Sequence, residues 1–213
     1  MLNIKPEIEK YILEHTTPES KVLYDLYRQT HLKMVYPRML SGHLQGRTLY
    51  MLCRMINPQN VLETGTFTGY SAICMAEALP EGGKITTIEI NDELESFIRQ
   101  HLQKANVENK VNLLFGDARE IIPTLTTKFD LVFIDGEKCQ YPDYYQAVFD
   151  KVKPGGFIIA DNALWDGKVT ESSSPADSAT KGIVEFNRMV SRDNRVENVI
   201  LPLRDGLMVI RKI

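Results

Sequence analysis

Cysteine is scarce in this chain: Cys53, Cys74 and Cys139 are odd in number and far apart, and no CxxC pair occurs. That excludes a disulfide framework and a thiolate zinc site. The histidines His15, His31, His43 and His101 include no HxxxH pair, so they read as surface or cap residues rather than ligands. No apolar run approaches the length of a bilayer-spanning helix. The start, MLNIKPEIEK, is charged and lacks the apolar stretch of a signal peptide. These absences lead us to expect a cytoplasmic protein with no membrane partner. A basic excess is missing as well: 25 Lys and Arg against 28 Asp and Glu leave a net charge of −3. Nothing in that balance calls for a polyanion-binding surface. Low-complexity tracts and repeats of solenoid period are also absent.

What is present fits one α/β domain of 213 residues with 43% hydrophobic content, enough to bury a core. Residues 1–58 read as a helical N-terminal extension. TPESKVLYDLYRQTH offers Thr17 as an N-cap with Pro18 at the first helical position, and SGHLQGRTLYMLCRMI offers Ser41 as the next cap. Over 59–213 the texture changes to short β-rich runs alternating with helical segments. The strand candidates are NVLETG (60–65), KITTIEI (84–90), VNLLFG (111–116), DLVFID (130–135) and GFIIAD (156–161). Helices are expected at GYSAICMAEALP, DELESFIRQHLQKAN, DAREIIPTL, PDYYQAVFDKV and TKGIVEFNRMV. The last runs, VENVILPL and GLMVIRK, leave no room for a helix and read as an antiparallel hairpin. Such alternation implies a parallel sheet covered on both faces, with ligands beyond the carboxyl ends of the strands. Each of those five ends carries a carboxylate: Glu63, Glu89, Asp117, Asp135 and Asp161.

The turn LETGTFTGYS resembles a dinucleotide fingerprint but departs from it. Its spacing is Gly65-x-x-x-Gly69, and Glu63 lies beside it. A carboxylate repels a pyrophosphate and attracts a cationic ligand. S-adenosylmethionine (SAM), with a sulfonium, an ammonium and no phosphate, fits that requirement. Ser71 is placed to donate to its carboxylate, Glu89 to accept from two ribose hydroxyls, and Asp117 or the backbone at Ala118 to meet the adenine edge.

FDLVFIDGEK (129–138) turns abruptly from apolar to charged. Asp135 ends one strand, and Asp161 with Asn162 ends the next. Adjacent parallel strands lie about 5 Å apart, so these side chains can converge on one ion. Two carboxylates and an amide oxygen make a hard site suited to Mg²⁺, Mn²⁺ or Ca²⁺. Lys138 follows Asp135 by three residues. Beside a divalent cation its pKa should fall, making it a general base for a hydroxyl. Trp165 and Tyr141 are aromatic candidates for an acceptor pocket.

At these residues the chain resembles the cation-dependent O-methyltransferases of the catechol and caffeoyl-CoA type, in their compact bacterial form. The resemblance runs from about residue 5 to the C-terminus. It rests on VLETGTFTGYSA, FDLVFIDGEKCQY, KPGGFIIADNALWDGKV, the FN at 186–187 and the closing DGLMVIRK. It implies a Rossmann-like seven-stranded sheet of order 3-2-1-4-5-7-6 with the last strand antiparallel, and commonly a homodimer. It implies donor contacts at Glu63, Gly65, Thr66, Ser71, Glu89 and Ala118, with Ser41 in the segment that closes over the cofactor. The family's metal ligands fall on Asp135, Asp161 and Asn162, and its catalytic lysine on Lys138. The family usually has Asp-Ala-Asp-Lys where this chain has Asp135-Gly136-Glu137-Lys138. Its acceptor lid does not carry over to the polar, Ser-rich loop 165–182.

The leading expectation is therefore a SAM-dependent, metal-assisted O-methyltransferase acting on a catechol-like or phenolic acceptor. An alternative keeps the chemistry but takes hydroxylated uridine in tRNA, with Lys33, Arg38, Arg47 and Arg54 on phosphates. Glu63 and the missing central glycine argue against a nicotinamide enzyme. Intact Lys138 argues against a non-catalytic binder.

Overall fold

The computed structural model describes residues 5–171 and 177–213. Three helices come first: α1 (Pro6–Glu14), α2 (Lys21–Lys33) and α3 (Gly42–Ile56). Then strands and helices alternate: β1 (Asn60–Thr64), α4 (Tyr70–Ala78), β2 (Lys84–Glu89), α5 (Glu95–Lys104), β3 (Val111–Phe115), α6 (Ala118–Thr124), β4 (Phe129–Ile134), α7 (Tyr141–Phe149) and β5 (Val152–Ala160). Helix α8 (Ser178–Arg192) and the hairpin β6 (Val196–Leu201) and β7 (Leu207–Lys212) follow.

The strands form one seven-stranded sheet of order β3-β2-β1-β4-β5-β7-β6. The first five are parallel, and β7 lies antiparallel to both β5 and β6. Side chains alternate across a strand, so continuous apolar runs feed two cores. Val61, Leu131, Phe133 and Ile159 pack with α2–α5 on one face. Leu62, Val132, Ile134, Ile158 and Ala160 pack with α6–α8 on the other. Phe133 is fully buried, and removing such a ring costs about 3–5 kcal/mol.

The register sets the functional level. Thr64 pairs with Ile134, and Ile134 with Ala160, so Gly65, Asp135 and Asp161 leave the sheet side by side. The ladder continues one residue past the strands, with Asp135 N–H donating to Thr64 O at 2.9 Å and Asp161 N–H to Ile134 O at 3.0 Å.

Several element boundaries differ from expectation. Helix α2 begins at Lys21, and Ser20, not Thr17, caps it by accepting from Leu23 N–H at 3.3 Å. Residues 17–18 instead lie against α3, where His43 bonds Thr17 O and Arg47 donates to Pro18 O. Ser41 does precede α3, but its side chain forms no cap bond. Helix α7 stops at Phe149, and β5 begins at Val152, which pairs with Phe129 before a register shift. Lys153-Pro154-Gly155-Gly156 hid that early start. Asp177 caps α8 through Thr180 N–H, so the helix starts before Thr180. Residues 172–176 of the Ser-rich loop lie outside the described residues. Among the described residues no helix is long and apolar enough to cross a membrane.

Candidate active site

A cavity of about 570 Å³ opens over the carboxyl ends of β1–β5, within the usual range for a small-molecule site. Of the expected residues, Gly65, Glu89, Asp117, Ala118, Asp135, Lys138, Asp161 and Asn162 line it. Ser41, Glu63, Thr66 and Ser71 are buried and are not among its lining residues.

The glycine turn explains part of this division. Gly65 has φ of +87°, and a Cβ there would collide with Asp135 O and lie 2.7 Å from Asp135 C. Only glycine lets the turn pass this close to the end of β4. Beneath the turn, Thr87 donates to Glu63 Oε2, and the Thr66 and Thr87 hydroxyls bond each other. Burial pushes the Glu63 carboxyl up to about 8, against hydrogen bonds from Ser71 and Thr87 that pull it down; Asp135 and Glu89 add repulsion. Burial thus favours the protonated form of the Glu63 carboxyl, which lies beneath the turn and not on the cavity wall. Glu63 Oε1 is buried with no hydrogen-bond partner.

Glu89 does face the cavity. Its carboxylate accepts from Phe67 N–H at 2.6 Å and Asn91 N–H at 2.9 Å, which fixes it beside the glycine turn. Asp117 caps α6 through Arg119 N–H at 2.8 Å and pairs with the Arg119 guanidinium at 2.6 Å, which holds its carboxyl below the ordinary range. Ala118 opens α6.

Lys138 Nζ donates to Asp135 Oδ1 at 2.7 Å and to Tyr141 Oη at 2.9 Å. Burial does pull the ammonium down, but Asp135, Tyr141 and Asp161 outweigh it and hold it up. Burial pushes Asp135 up to about 7; Lys138 opposes that and Asp161 adds to it. Asp161 Oδ2 accepts from Gln45 Nε2 at 2.8 Å, and Asp161 Oδ1 accepts from Asn162 N–H at 2.8 Å. Asn162 Nδ2 donates to Asp205 Oδ2 at 3.0 Å.

No group of three His, Cys, Asp or Glu side chains among the described residues is arranged to hold a metal. The candidate set is smaller: two carboxylates and one amide oxygen. All three donors are hard, as Mg²⁺, Mn²⁺ or Ca²⁺ prefers. The buried repulsion between Asp135 and Asp161 is of the kind a cation relieves. These residues fit a divalent ion.

Sequence reasoning missed Gln45, Arg204, Asp205 and Tyr144. Arg204 donates to Gln45 Oε1 at 2.7 Å and to Ser41 O, so it holds the glutamine that holds Asp161. Arg204, Asp205 and Tyr144 line the cavity. The Arg204–Gln45, Arg204–Ser41 and Gln45–Asp161 contacts join residues more than a hundred positions apart, beyond any local pattern. Trp165 lines the cavity as well, whereas Tyr141 is fully buried and bonded to Lys138 and Ile134 O. Each histidine ring bonds a backbone carbonyl, and His101 is buried rather than superficial. Of the four basic residues considered for tRNA, Arg47 and Arg54 are hydrogen-bonded to Pro18 O and Ala78 O, Lys33 sits over the Phe97 ring and Arg38 lines the cavity.

Known proteins share this fold. Residues 13–213 match the model of the O-methyltransferase family. The caffeoyl-CoA O-methyltransferase of Mesembryanthemum crystallinum is 34% identical over 219 residues, covering 96% of this chain and 85% of that one. The O-methyltransferase TomG of Streptomyces achromogenes, solved in complex with SAM, superposes with a TM-score of 0.90 at 29% identity, over 97% of this chain and 96% of that one. The O-methyltransferase of Bacillus cereus, solved in complex with SAH, gives a TM-score of 0.90 at 25% identity, over 97% of each. On this sheet order, this site and these matches, the chain belongs to the O-methyltransferase family.

Proposed function

We propose that the protein transfers the methyl group of SAM to a hydroxyl of a small phenolic or catechol-like acceptor, assisted by a divalent cation. The observation that carries this reading is the side-by-side emergence of Asp135 and Asp161, with Asn162, in the cavity that Gly65 and Glu89 also line. The SAM and SAH complexes of structures this similar support the donor. The caffeoyl-CoA relatives support a phenolic acceptor.

Each residue then has a task. Glu89 accepts from the ribose hydroxyls, and Asp117 with the backbone of Ala118 meets the adenine. Glu63, Thr66 and Ser71 shape the glycine turn from beneath, and Ser41 anchors the start of α3 through its carbonyl bond to Arg204. Asp135, Asp161 and Asn162 hold the cation, for which Mg²⁺ is the first choice and Mn²⁺ or Ca²⁺ alternatives. A bound divalent ion supplies Lewis acidity, which makes an acceptor hydroxyl easier to ionise. Lys138 takes the proton of that hydroxyl at Nζ once its pairing to Asp135 is relaxed, and otherwise donates to the acceptor oxygen. Trp165, Tyr36 and Met39 offer the cavity's apolar wall to the aromatic ring. Methyl transfer then needs an in-line approach of the oxygen to the sulfonium methyl.

A screen with methyl-labelled SAM tests the acceptor, setting catechols and phenolic esters against undermethylated tRNA. Label is expected in the phenolic compounds. Label in tRNA alone would overturn the acceptor class while leaving the donor in place.

A further inference from the structure

We propose that Asp205 is a positioning residue that decides which end of the Asn162 amide faces the cavity. The inference rests on reading Asp135, Asp161 and Asn162 as a cation site. Asn162 follows β5 in a left-handed conformation, φ +57°. Its amide presents two chemically different ends, and only the oxygen can ligate a hard cation. A carboxylate has acceptors and no donors. Asp205 Oδ2, 3.0 Å from Asn162 Nδ2, therefore draws in the NH₂ end and leaves the oxygen to the ion.

Asp205 is itself tightly placed at the tip between β6 and β7. Its Oδ1 accepts from Asp166 N–H at 2.5 Å, and its backbone oxygen accepts from Leu164 N–H at 2.9 Å. The next carbonyl, Gly206 O, accepts from Ala163 N–H at 2.9 Å. Gly206 permits that approach: φ is +88°, and a Cβ there would lie 2.8 Å from Leu164 N. The hairpin tip thus clamps residues 162–166, with one carboxylate accepting from both the Asn162 NH₂ and the Asp166 N–H.

This dual service makes the inference testable with a near-isosteric change. In Asp205→Asn, one acceptor oxygen must answer both the Asp166 N–H and the Asn162 NH₂. If the oxygen stays with Asp166, an NH₂ faces Asn162, whose amide turns over and presents nitrogen to the cavity. Adding Asn162→Asp to Asp205→Asn restores a matched pair with its direction reversed. It also returns an oxygen to the cavity at unchanged net charge.

The experiment titrates Mn²⁺ into the unaltered protein, Asp205→Asn and the Asn162→Asp/Asp205→Asn swap, reading free Mn²⁺ by electron paramagnetic resonance. Calorimetric SAM binding and thermal melting verify that each is folded. Asp205→Asn is expected to weaken Mn²⁺ about 10–100-fold, the usual cost of losing a ligand's hydrogen-bond partner. The swap is expected to recover most of that loss. Unchanged Mn²⁺ affinity in Asp205→Asn, or a swap no tighter than Asp205→Asn, overturns the proposal. If Asp205→Asn does not fold, the swap alone decides, since it must then fold and bind Mn²⁺ close to the unaltered protein. Failure of the unaltered protein to bind Mn²⁺ overturns the cation site and this inference together, an outcome distinct from the others.

Discussion

Glu63 shows how burial changes what a residue does. Its carboxyl, ordinarily near 4.5, is pushed up to about 8 by full burial. Between those values the folded chain holds a proton that the unfolded chain has released. The stability Glu63 contributes is thus complete below about pH 4.5 and is lost as pH rises toward 8. The expected slope is about 1.4 kcal/mol of lost stability per pH unit from this one group. Glu63→Gln should flatten it, leaving the variant's stability less dependent on pH between 6 and 8. Urea unfolding at those two pH values, on both proteins, is the check. Equal losses in both would show that Glu63 is not the group holding the proton. The acid's presence was legible in LETGTFTGYS, but its depth was not. Depth depends on Thr87 and Ser71 meeting it from two other elements, which no local spacing encodes.

The strands were legible because each is a short apolar run ended by turn chemistry, and parallel burial on both faces demands that run. The site residues at their ends followed from the same logic: Glu89, Asp135 and Asp161 are where β2, β4 and β5 stop. The beginnings of elements were harder to place. Ser20, Thr17 and Pro18 all carry start signals, and α3 decides among them by binding the Thr17 and Pro18 carbonyls. Packing between elements was invisible too. Gly182 on α8 lies against the turn that carries Lys138, where an added Cβ would meet Lys138 O and come 2.6 Å from Cys139 Cα. Gly182→Ala gains helix propensity yet forces α8 away from that turn. Steady-state kinetics should show kcat falling on the order of 10–100-fold, as expected for a displaced catalytic group, with SAM affinity intact. An unchanged kcat would mean that the Lys138 turn tolerates the shift.

Across the whole molecule, the site is assembled from both ends of the chain. Arg204 from the C-terminal hairpin holds Gln45 of α3, Gln45 holds Asp161, and Asp205 holds Asn162. The hairpin and the helical extension therefore frame a cavity whose floor is the parallel sheet. Sequence patterning gave access to that floor and not to the frame, because the framing bonds join residues 43 to 159 positions apart. The measurement that bears most directly on the account is the rate of methyl transfer to a catechol in EDTA, followed by restoration of Mg²⁺ or Mn²⁺. A loss on the order of 100-fold or more is expected in EDTA, reversed by either ion. Lys138→Ala and Asp161→Ala should stay inactive under both conditions while still binding SAM by calorimetry. Full activity in EDTA would contradict metal assistance outright.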